Sequence, residues 1–201
     1  MHDQSVTAID VPFPDAADLH LRITVGACRL RIVPGESGAW VTGSYRDPSG
    51  ALPASVAREG GTLRISQEPN WTNVFGWPSG VPTFDLALGK ARPFSLTLET
   101  GASECELDLG RVPLSRVVGK YGAGVLKIDF SAPNPQAMTM LHLAAGAGNL
   151  EMRNLANANA AEIVVEGGAA AYQFHFGGEL RRDANVRIQS GLSSVHVAVP
   201  A

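Results

Sequence analysis

The chain has 201 residues, 45% hydrophobic and 17% charged, which excludes a disordered chain and leaves room for one ordinary domain or a single longer β domain. A net charge of −3 lacks the basic face that a nucleic-acid partner needs, and no run of like charge could dock on anionic lipid. No window approaches the roughly 18 apolar residues of a membrane span, and the first 19 residues lack a signal-peptide pattern, so a cytoplasmic protein is expected.

From Leu19 to Val33 the chain alternates with period two on both sides of Gly26-Ala27. Leu21, Ile23 and Val25 share one face before this corner, and Leu30 and Ile32 share one after it, the signal of half-buried strands. Trp40–Tyr45 is a further short strand, and Asp47–Gly50 is a turn. Gly60-Gly61 leads into Leu63 and Ile65, a second echo of the corner followed by a strand.

Residues 67–82 break this rhythm. They gather Trp71, Phe75 and Trp77 among Pro, Gly and Asn, and read as a long loop of the kind that often carries function. Exposed, these aromatics would stack on carbohydrate or seat a protein partner. Buried, they would cover the open end of the sheet structure.

Phe84–Leu88 resumes the alternation, and a regular array follows. Its corners are Gly101, Gly122, Gly146, Gly168 and Gly191, spaced by 21, 24, 22 and 23 residues, a solenoid period. Five residues before each glycine stand Leu96, Val117, Leu141, Ile163 and Val186; six after stand Leu107, Ile128, Met152, Phe174 and Val197. These positions are expected to point inward and stack as aliphatic ladders. Ala102, Ala123, Ala147 and Ala169 keep the corners small.

The intervening positions point outward. One column reads Glu106, Lys127, Glu151, Gln173 and His196, which avoids like charges on rungs about 4.8 Å apart. Turns link the rungs, with Pro133 and Pro135 placed where no central strand can run. No stretch reads as a helix, because Asn157 and Asn159 interrupt the Ala-rich segment Leu155–Ala161.

The pattern predicts an all-β single domain over 1–201: a right-handed parallel β-helix-like solenoid with rungs of about 22 residues over 84–201, preceded by a less regular β region over 1–83. The Gly-Ala-Gly corners at 122–124 and 146–148, their alternating apolar followers, and the lead-in Leu114-Ser115-Arg116-Val117 resemble bacterial toast-rack, adhesin-like domains of unknown function. These include the C-terminal domain of LiaF-type cell-envelope stress proteins. The resemblance extends from Phe84 onward and, more loosely, over Leu19–Ile65. It implies a β-helix-like solenoid and no catalytic residue.

The corner motifs start like a dinucleotide loop, but Lys127 and Glu151 stand where its third glycine belongs. His20, His142, His175 and His196 are scattered and outward-facing, so neither a metal nor another cofactor is expected. Cys28 and Cys105 read as small core residues, with a single bridge between them as the alternative.

Asp108 and Asp129 fall in one column on adjacent rungs and are the most serious enzymatic candidate, with Arg153 and His175 continuing the column. Two carboxylates that close could do acid–base work on a polysaccharide; the alternative is a repeated surface position neutralised by Arg153. The expected function is a non-catalytic scaffold or interaction module, in the setting of envelope stress. Carbohydrate binding or cleavage is the second reading. Self-association through the last rung, Val186–Val199, is a third, because its alternation would leave a pairable edge.

Overall fold

The computed structural model describes residues 6–36, 38–50, 52–67 and 80–200. Among them 14 strands form one hydrogen-bonded network. In chain order these are β1 (Val6–Val11), β2 (His20–Val25), β3 (Cys28–Pro34), β4 (Val41–Arg46), β5 (Ala54–Glu59), β6 (Thr62–Gln67) and β7 (Thr83–Leu88). There follow β8 (Phe94–Asp108), β9 (Leu114–Asp129), β10 (Met138–Arg153), β11 (Ala160–Gly167), β12 (Ala170–His175), β13 (Asn185–Ser190) and β14 (Ser194–Ala198).

The long strands β8, β9 and β10 run through the glycine corners and thereby belong to two sheets. Before the corner the pairing order is β5–β6–β2–β8–β9–β10–β11–β13. After it the order is β1–β4–β7–β3–β8–β9–β10–β12–β14. From β6 and β7 to the C-terminal strands all neighbours are parallel.

The register follows the columns read from the sequence. Leu96 lies opposite Val117, Val117 opposite Leu141, Leu141 opposite Ile163, and Ile163 opposite Val186. Beyond the corner Leu107, Ile128, Met152, Phe174 and Val197 are likewise successive partners. All but the last residue of each column are buried. Gly119, the one glycine among the inward positions, has its side-chain space filled by Leu143, whose Cδ2 lies 2.4 Å from where a Cβ would stand.

The corners stack as a glycine ladder. A Cβ at Gly122 would lie 2.8 Å from the Gly101 carbonyl oxygen, one at Gly146 2.3 Å from that of Gly122, and one at Gly168 2.6 Å from that of Gly146. Only a residue without a side chain lets successive backbones approach this closely. Gly124 and Gly148 also take φ of 117° and 128°, a region that favours glycine.

The N-terminal region differs from a simple run of early rungs. β2 and β3, on either side of Gly26, insert between β6–β7 and β8, so spatial order departs from chain order. β4 adds antiparallel to β7, β1 antiparallel to β4, and β5 antiparallel to β6. This end of both sheets therefore closes with antiparallel strands. β1 and β5 carry no full apolar alternation, because most of their side chains face solvent.

A third side is made of connecting segments held by asparagines. Asn134 donates to the Leu114 and Ala158 carbonyls at 2.9 and 3.2 Å and accepts from the Gln136 N–H at 2.9 Å. Asn157 donates to the Phe130 carbonyl at 2.8 Å and accepts from the Glu179 N–H at 2.8 Å. Where no helix is expected, Leu155–Ala158 forms one turn of 3-10 helix, bounded by Asn154 and Asn159 in the left-handed region. Asparagine tolerates that conformation better than most residues. The buried apolar side chains form one cluster from Ile9 to Phe174.

Candidate interaction surface

The sequence-predicted acids come together as expected, but each is committed to a turn. Asp108 and Asp129 are direct partners in the parallel register. The Asp108 carboxylate accepts from the Ser131 hydroxyl at 2.7 Å and from the Gly110 N–H at 2.9 Å. The Asp129 carboxylate accepts from the Asn154 side-chain amide at 2.7 Å. Arg153 turns to Glu151, at 2.6 Å. The column thus serves to pin the connecting segments at the strand ends.

The neighbouring outward column carries the alternating charges as read, with Lys127 Nζ 3.3 Å from Glu106 Oε1. On the other sheet Glu99 pairs instead with Arg22, at 2.7 Å. Such exposed pairs each contribute up to about 1 kcal/mol and act mainly on register. The outer faces therefore present mixed charge rather than a field of one sign.

Trp71, Phe75 and Trp77 lie outside the described residues. Cys28 and Cys105 are both buried free thiols. His175 and His196 stand on neighbouring rungs with ring centroids 6.2 Å apart. No three potential metal ligands gather among the described residues. None of the described helices is long and apolar enough to cross a membrane.

The surface that stands out is the end formed by β13 and β14. Six of the nine large exposed apolar side chains among the described residues lie between residues 180 and 199. The inward columns continue here, and among the described residues no further strand covers them. Val186 is 44% exposed and Val197 46%, whereas their partners Ile163 and Phe174 are at 3% and 1%. Among the described residues β13 pairs only with β11, and β14 only with β12, so each leaves one backbone edge unpaired there.

Two further side chains extend this surface. Leu192, 93% exposed, occupies the corner position that holds alanine in the four preceding repeats. Leu180, 66% exposed, sits in the connecting segment before β13, between Glu179 and Arg181. The substitution of leucine for the corner alanine is legible in the sequence once the repeats are aligned. The exposure of Leu180 is not, because its segment has no apolar periodicity.

Stacked parallel strands bent at a glycine ladder define a repetitive β fold of the toast-rack type. The chain belongs to the family described as the N-terminal domain of toast_rack, DUF2154, whose model matches residues 1–153. The resemblance carried by the corners is thereby borne out. No curated protein matches the chain.

A solved structure from Clostridium sporogenes, described as a "putative cell adhesion protein", matches with a TM-score of 0.67 at 15% identity, covering 98% of this chain and 100% of that one. At that identity the likeness is one of fold. A "putative adhesin" from Bacteroides fragilis matches at TM-score 0.41 and 8% identity, with 98% of each chain covered. A "putative lipid binding protein" from Parabacteroides distasonis matches at 0.37 and 11%, covering 98% and 97%.

Proposed function

We propose that this chain is a non-catalytic interaction module that holds a protein partner at the open end of β13 and β14. The observation that carries this reading is the exposed inward column at that end, beside two unpaired strand edges. An added strand would satisfy the free N–H and C=O groups, and its alternate side chains would cover Val186, Ile188, Val195 and Val197. The strand–corner–strand connections support a right-handed coil with rungs of about 22 residues. Cell-envelope stress sensing or regulation is the setting that the likeness to LiaF-type domains implies.

Site-specific photocrosslinking in the source cell tests the reading. A crosslinking amino acid at Leu192 or Val195 is expected to capture protein, and the same group at Lys127 or Arg29 is expected to capture little. Equal yields at all four positions, or none at the end, would overturn it.

A further inference from the structure

We infer that the occupant of this open end is a second copy of the chain, docked tail to tail about a two-fold axis. The inference rests on the interaction reading above and names its partner. Three features of the end are self-complementary, which is the condition a two-fold interface imposes.

The first is the path of the chain. β13 runs toward the Gly191 corner and β14 runs away from it. A two-fold axis lying in the end plane and passing through that corner exchanges approach for departure. It therefore sets β13 antiparallel to β14 of the second copy, and β14 antiparallel to β13. The register symmetric about the corner places Val186 opposite Val197 and Ile188 opposite Val195 of the second copy. Inward side chains meet inward side chains, and the core continues across the junction.

The second feature is charge. The same axis reverses the connecting segment on the far side of the end onto its own copy. Glu179-Leu180-Arg181 read backwards against itself sets acid against base at both outer positions. Within one chain Arg181 and Glu179 already lie 3.4 Å apart, with both side chains substantially exposed. The dimer would turn this pair into a four-membered network of alternating sign.

The third is the location of the two most protruding leucines of the end. The register sets Leu192 opposite Gly191 of the second copy, so the two Leu192 side chains flank the axis at the corner, while Leu180, the middle residue of the reversed segment, meets its own mate. Among the described residues the other end differs in its chemistry. It closes with antiparallel β1 and β5, whose side chains are mostly exposed and include Asp10, Arg58 and Glu59. Tail-to-tail contact about a two-fold axis closes as a dimer.

Light scattering and sedimentation on the full chain, with charge reversals at the connecting segment, test the arrangement. The unmodified protein is expected to be a dimer at micromolar concentration. Glu179→Arg and Arg181→Glu each place like charges in contact and are expected to weaken it by about tenfold or more. An equimolar mixture of the two variants is expected to recover a heterodimer, because the reversed segments complement each other. Both sites are exposed, so unchanged melting curves will confirm that the variants fold.

A dimer indifferent to both reversals, or a mixture that recovers nothing, would overturn the tail-to-tail geometry. A chain that stays monomeric while crosslinks from Leu192 capture a different protein would also overturn it, and would leave the broader interaction reading standing. Absence of both the dimer and the crosslinks would remove the two together.

Discussion

Burial decides the chemistry of the two thiols. Cys28 is pushed up to about 12, first by burial and then by the neighbouring Cys105; burial also raises Cys105, with Ser103 partly offsetting it. In an unfolded chain a thiol ionises near 8.5. Between that value and about 12 the unfolded state loses protons that the folded state keeps, so stability present below about pH 8.5 declines as pH rises. Tyr45 and Tyr121, also raised to about 12 chiefly by burial, add to the decline above about pH 10. Denaturant midpoints are expected to fall from pH 8 to pH 11, and less steeply in a Cys28→Ala, Cys105→Ala double variant. A thiol reagent at pH 8 should find no fast-reacting group until the protein is unfolded; two fast thiols in the native state would contradict this burial. Composition and spacing made the thiols legible as core residues, but nothing in the sequence indicated that Asp108 and Asp129 would be engaged separately by Ser131 and Asn154.

At the scale of the strand, alternation was the readable signal, and it succeeded where both sheets are buried on one face. Lys127 and Ile128 are neighbours in β9 with opposite fates, one exposed and the other at 3%. Ile128→Asp inserts a charge among Leu107, Met152 and the rest of the column, at a cost of roughly 4 kcal/mol or more. Lys127→Ala removes one exposed ion pair, worth under about 1 kcal/mol. Thermal melts should show a collapse for the first and a shift of a few degrees at most for the second; similar curves would refute the register. Strands β1 and β5 leave no alternation in the sequence because pairing with β4 and β6, rather than burial of an apolar face, holds them. The burial of Asn134 and Asn157 is illegible in the sequence for the opposite reason. They are polar residues turned inward, and only their carbonyl and N–H partners on adjacent segments explain their burial.

Across the whole molecule, each repeat depends on its neighbours, as in other stacked architectures. β8, β9 and β10 are flanked on both sides, whereas β13 and β14 are flanked on one. Hydrogen exchange on the Glu179→Arg variant should therefore protect amides of β9 most and those of β13 and β14 least. Uniform protection along the stack would argue that the end is not open. The period of the array was plain in the sequence, since five glycines mark it. The order of the early strands was not, because inserting β2 and β3 between β7 and β8 leaves no trace in local periodicity.

The glycine ladder has one more consequence. Because the carbonyl oxygen of one corner fills the side-chain space of the next, the bend is a fixed mechanical pitch rather than a variable joint. Outward residues are thereby displayed on a grid, about 4.8 Å between repeats and about 7 Å along a strand. A substitution at an outward site changes one grid point, while a substitution at a corner displaces every repeat beyond it. Such a lattice can exchange its surface almost freely while its geometry is conserved, consistent with full-length structural likeness to the Clostridium sporogenes protein at 15% identity.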